Sequence, residues 1–113
     1  MVTSEVLVGA LAYLHDGEGW THEAFARNSD GDCCPVHSMY AVTFCMRGAI
    51  CRATGDERIG KDFNNALALL SQQFEGNCAQ FNDHPKRRFG QVREVFMRAI
   101  SSAEFSERRT WSL

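Results

Sequence analysis

The chain has 113 residues, 44% of them apolar and 23% charged, with a formal net charge of −2 and only two prolines. That length makes one domain able to bury about two-thirds of its unfolded surface. The composition excludes the disordered and fibrous classes, and the near-balanced charge supplies no global field toward nucleic acid or an anionic membrane.

The apolar run from Val6 to Leu14 follows Glu5, with no Lys or Arg before it. It is too short to span a bilayer and lacks the basic start of a signal peptide. Five cysteines (Cys33, Cys34, Cys45, Cys51 and Cys78) make an odd number without paired spacing. That pattern argues for free thiols in a reducing cytoplasm rather than for a secreted disulfide framework.

A first helix is expected from Thr3 or Ser4, either of which can act as its N-cap. Leu7, Ala10, Leu11 and Leu14 then repeat at i, i+3, i+4 and i+7, one apolar stripe. The segment His15–Gly19 ends it. A short helix capped by Thr21, with Ala24 and Phe25 inward and Trp20 as a staple, is expected next. Asn28–Asp32 reads as a turn.

The organising element is expected to be one long helix over Val36–Ala53, with Pro35 in its first turn and apolar residues on more than one face. Cys45, Gly48 and Ala49 lie on its close-packing face. Gly48 costs about 1 kcal/mol of helix propensity relative to Ala, which close approach of a neighbouring backbone or a ligand would offset. Asp56 can cap the following helix, whose stripe is Ile59, Phe63, Ala66, Leu67, Leu70 and Phe74. Cys78–Phe81 reads as a connection and Asn82-Asp83-His84-Pro85 as a turn. A last helix buries Val92, Val95, Phe96, Ala99, Ile100 and Ala103, and no strand pattern competes anywhere. The expected fold is all-α, a compact single-domain bundle of four main helices and one short one over residues 1–104. Residues 105–113 form a C-terminal tail without amphipathic pattern, in which Trp111 is loose or docks on a partner.

Chemistry is harder to find. Cys33, Cys34 and His37 give C-C-x-x-H, but adjacent cysteines rarely chelate one zinc and no further ligand pair follows. Asn28–Asp32 fails as a calcium loop, because Met39 stands where a bidentate Glu is needed. Cys45 could pair with His15, His22, His37 or His84 as a nucleophile, yet mid-helix on an apolar face it reads as a small hydrophobe. Lys86, Arg87, Arg88 and Arg93 make a local basic patch, read as a solvated helix start rather than a nucleic-acid site. Arg27 and Asp83 flank turns that return to one end of the expected bundle. A bidentate bond between them, with Trp20 and Asn82 nearby, would be either a structural clamp or the floor of a pocket.

Trp20, Ala26-Arg27, Gly31, Cys45, Gly48-Ala49-Ile50, Phe81-Asn82-Asp83, Pro85 and Val92 together resemble a family of small bacterial and phage proteins, a domain of unknown function. Its pattern is a Cys-x-x-Gly-Ala-(Ile/Leu) helix and a later (Trp/Phe)-Asn-Asp-x-Pro turn. The likeness spans about residues 20–100, with Phe81 where Trp is common and Arg88 where a Thr cap often precedes the last helix. It implies a helical fold, and leaves the activity open because none is established for the family.

The sequence therefore favours a non-enzymatic cytoplasmic binding or interaction module. It engages a small molecule or a protein through Trp20, Arg27, Asn82 and Asp83, without catalytic residues, metal, cofactor or membrane contact. A homodimer would add core area to so small a domain. The alternative is a small hydrolase or transferase using Asp83 or a cysteine.

Overall fold

A computed structural model describes residues 1–56 and 60–112, the side chains of 110–112 apart. Ile59 and the Trp111 side chain therefore lie outside the described residues. Five α-helices and a two-stranded antiparallel sheet make up the fold: α1 Thr3–Tyr13, β1 Ala26–Arg27, β2 Thr43–Phe44, α2 Met46–Thr54, α3 Lys61–Ser71, α4 Cys78–Asp83 and α5 Phe89–Ser112. A single 3-10 turn, His15–Gly17, follows α1.

The hub is α1, not the expected central helix. It packs on α2, α3 and α5, burying Val6, Leu7, Ala10 and Leu14 completely. Its first turn is capped from a distance. Thr3 and Ser4 do not act as its N-cap: that position is Val2, which offers no side-chain bond. Instead the Glu107 carboxylate accepts from the Ser4 N–H at 3.1 Å and from the Ser4 hydroxyl at 2.6 Å. A carboxylate there satisfies an orphan donor and complements the positive end of the helix dipole.

Only the second half of the expected Val36–Ala53 helix is helical. Ser38 Oγ accepts from the Tyr40 N–H at 3.1 Å, and backbone bonds Ser38 N–Pro35 O and Ala41 N–Ser38 O fold residues 35–41 into turns. Local serine bonds of this kind compete with helix, and the β-branched Val42 and Thr43 favour the strand that follows. Met39, Tyr40 and Val42 are exposed as a result. Arg52 holds this loop down by donating to Val36 O at 2.7 Å and Ser38 O at 2.8 Å, its guanidinium lying over the Tyr13 and Phe44 rings.

The expected helix at Thr21–Arg27 is likewise absent. Ala26 and Arg27 pair with Phe44 and Thr43, and Thr21 N donates to Phe44 O at 2.9 Å. Extended backbone wins because β2 offers these residues partners that an isolated helical turn would lack. The short helix lies elsewhere, at α4, where Asn77 and Gln80 form a capping box. Helix therefore covers the expected connection and the first half of the expected turn, ending before Pro85, which disfavours α conformation in the residue preceding it.

The stripes of the other helices pack as their spacing requires. Phe63, Ala66 and Leu70 are buried on α3, and Val92, Val95, Phe96, Ala99, Ile100 and Ala103 on α5. The cap of α3 is Gly60, with no side-chain bond, so Asp56 does not fill that role. Helix α5 runs through residue 104 to Ser112 without a break.

Candidate functional site

Three segments meet around Asn82, which is 1% exposed: residues 20–21, the start of α2 and α4 itself. Its Oδ1 accepts from Trp20 Nε1 at 2.8 Å and from the Met46 N–H at 3.0 Å. Its Nδ2 donates to Thr21 O at 3.0 Å and Asp83 Oδ1 at 2.8 Å. All four hydrogen-bonding positions of the amide are used, so the network is fully satisfied and fixes the amide's orientation. One residue of α4 thereby ties down the segment after α1 and the first N–H of α2.

Asp83 continues the network. Its Oδ1 also accepts from the Glu23 N–H at 2.9 Å, at a residue held in left-handed conformation (φ 62°). Its Oδ2 makes no hydrogen bond among the described residues. Arg27 is not its partner. The Arg27 guanidinium donates to Thr21 Oγ1 at 3.1 Å, His22 O at 3.0 Å and Gly31 O at 3.0 Å, with Cys33 Sγ at 3.7 Å. Its donors are used inside its own loop, where it acts as a rigid fork. It reaches the Asn82 cluster only through Thr21.

Beside this network lies a cleft of about 330 Å³, lined by Glu23, Ala24, Phe25, Cys45, Arg47, Cys78, Ala79, Asn82 and Asp83. Gly48 makes room for one wall. A Cβ there would stand 2.7 Å from the Phe25 carbonyl carbon and closer still to its oxygen, so only glycine lets the 23–25 backbone lie on α2. Cys45 is the N-cap of α2 rather than a mid-helix residue, its sulfur accepting from the Gly48 N–H at 3.2 Å. Ala49 is fully buried behind it.

Arg47 is the unexpected member. Its guanidinium lies 4.9 Å from the Phe25 ring centre, and among the described residues no hydrogen bond joins it to the protein. Its Nε is removed from solvent with no acceptor. A buried donor left unmade costs about 1–3 kcal/mol, more when charged. Nothing in the sequence marks Arg47, because its isolation comes from Phe25, which is brought in by the sheet.

The cleft's thiols are poorly suited to attack. Burial pushes Cys45 upward, against the backbone N–H bonds of Gly48 and Arg47. Burial also pushes Cys78 from 9.0 to about 12, so both are protonated thiols at neutral pH. The only Cys–His approach among the described residues is Cys51 Sγ to His37 Nε2 at 3.8 Å, outside the cleft, and burial raises Cys51 too. Among the described residues no cluster of three His, Cys, Asp or Glu could hold a metal ion.

Two of the four side chains of the basic patch are engaged. Arg87 stacks 3.6 Å from the Phe81 ring centre, and Arg93 pairs with Asp16 at 3.1 Å. No helix among the described residues is long and apolar enough to cross a membrane.

The model of a family of unknown function, DUF6197, matches residues 1–102. The chain belongs to that family. Every residue of the cleft and of the Asn82 network falls within the part matched to DUF6197, whereas Glu107, which caps α1, lies beyond it. No curated protein and no solved structure matches the chain.

Proposed function

We propose that this DUF6197 chain is a non-enzymatic binding domain whose partner is a small organic anion seated in the cleft between residues 23–25 and the first turns of α2 and α4. Arg47 carries the reading: a cation stacked on an aromatic ring, with no acceptor among the described residues. An anionic group of a ligand in the cleft pairs with the charge of the Arg47 guanidinium, and the N-terminal end of α2 adds a favourable dipole. The cleft sits at the small end of the roughly 300–1,000 Å³ range of ligand pockets. Its walls combine Ala24, Phe25 and Ala79 with a few fixed polar groups, the usual make-up of such sites. Binding is favoured over hydrolysis or group transfer by a cysteine because both thiols of the cleft are held protonated. The uncombined cysteines support a reducing cytoplasm, and the sequence pattern supports a bacterial or phage source.

Native mass spectrometry of the purified protein, followed by titration with small carboxylates and phosphates under Trp20 fluorescence, tests the proposal. A mass excess lost on denaturation, or saturable binding weakened at least tenfold by Arg47→Met, is expected. A clean mass together with no saturable response to any anion overturns it.

A further inference from the structure

Arg47 is not the only charge in the cleft with unused capacity. Asp83 also lines it, with Oδ1 committed to Glu23 N–H and Asn82 Nδ2 and with no hydrogen bond to Oδ2 among the described residues. Two opposite charges in one small cleft ordinarily close on each other, but these two form no ion pair. Each is held elsewhere, Arg47 by the Phe25 ring and Asp83 by the Asn82 network. Both act electrostatically on the Cys45 and Cys78 thiols with opposite sign, which places them around the same pair of sulfurs.

We infer that the ligand of this cleft is a zwitterion of amino-acid size, its carboxylate on Arg47, its ammonium on Asp83 and an apolar side chain against Ala24, Phe25 and Ala79. The inference rests on the binding reading above and adds the second charge. A ligand with only a carboxylate leaves Asp83 beside the bound anion, a like-charge contact that disfavours it. A ligand with only an amine leaves the Arg47 guanidinium without a counter-charge and places a second cation beside it. Only the zwitterion meets both groups and leaves neither repelled.

The test is isothermal titration of the full chain with L-valine, with isovalerate (the same skeleton without the amine) and with isobutylamine (without the carboxylate). Valine is expected to bind roughly ten- to hundredfold more tightly than either, the range for one charged hydrogen bond. Asp83→Asn keeps an oxygen for Glu23 N–H and Asn82 Nδ2 while removing the charge. It should abolish the preference for valine over isovalerate with little change in melting temperature. Equal affinity for isovalerate and valine overturns the zwitterion while leaving the anion reading intact. No binding of all three overturns the zwitterion as well, and the broader anion titration then decides the binding reading separately. A preference for valine that survives in Asp83→Asn also overturns it.

Discussion

Replacing Asn82 with Asp changes one nitrogen to oxygen at almost constant shape, which isolates the donor half of the Asn82 side chain. Trp20 Nε1 and the Met46 N–H keep an acceptor, but Thr21 O and Asp83 Oδ1 lose their donor and instead face an oxygen at about the former 3.0 and 2.8 Å. At neutral pH this places a charge in a site that is 1% exposed, beside another carboxylate and with no cation bonded to it. An uncompensated buried charge costs about 3–5 kcal/mol, against a total stability on the order of 5–15 kcal/mol. The melting temperature of Asn82→Asp should therefore fall by roughly 10–20 °C at pH 7, at roughly 4 °C per kcal/mol for this size. The pH dependence has a definite sign. The site disfavours the ionised form, so the introduced carboxyl has a higher pKa folded than unfolded, and the folded state binds the extra proton. Stability is then lost as pH rises through the folded value and regained toward acid, so the gap to the parent should narrow between pH 7 and pH 5. Parallel thermal melts of the two proteins across that range provide the assay. A gap at pH 7 below about 1 kcal/mol, the worth of an ordinary hydrogen bond, or one that widens toward acid, would refute the assignment of the Asn82 network.

Gly48→Ala gains about 1 kcal/mol of helix propensity but forces the Phe25 backbone away and strains its bond to Cys45 N, overpacking that costs about 1–3 kcal/mol. A net loss in urea denaturation is expected, and a stabilised variant would show that the 23–25 segment does not rest on α2. Glu107→Ala removes the acceptor of two Ser4 donors and should cost about 0.5–2 kcal/mol, as loss of an N-cap does, read as faster amide hydrogen exchange in the first turn of α1. Cys78, raised to about 12, should resist iodoacetamide at pH 8 while the exposed Cys33 reacts, as peptide mapping would report. Its folded thiol holds a proton that the unfolded one releases above 9.0. It therefore makes stability fall between pH 9 and about 12, by up to about 1.4 kcal/mol per unit, and Cys78→Ala should flatten that slope.

The helices whose apolar residues repeat cleanly, α1, α3 and α5, were legible because the 3.6-residue period is a local property. The half of the organising element before Cys45 was not. Val36, Tyr40, Ala41 and Phe44 can be threaded onto a helix face, yet an apolar run this dense does not distinguish helix from strand, and what decides is the partner strand at Ala26–Arg27. Helix α4 carried a readable signal, the Asn77-x-x-Gln80 capping box, hidden by the turn-like Asn-Asp-His-Pro that follows. Asn82 stood out in the sequence, but its bonds to residues 20, 21 and 46 depend on long-range packing. Arg27 and Asp83 were paired on the assumption that a cation and a carboxylate on neighbouring loops meet. Nearer backbone acceptors satisfied the arginine first. Arg47 was invisible because an unpartnered guanidinium is defined by what surrounds it, none of which adjoins it in the chain.

The position of α1 bears on how the chain reaches this state. Its buried face is completed by α2, α3 and α5, and its first turn is closed by a residue 103 positions later. During synthesis α1 is made before every element that encloses it, and the face bearing Val6, Leu7, Ala10 and Leu14 is not fully covered until α5 has been translated. A nascent chain built this way gains little from folding in stages. Long-range closure of this kind slows folding and prolongs exposure of sticky surface, so the interval before α5 docks is when a chaperone holding α1 has most effect on yield.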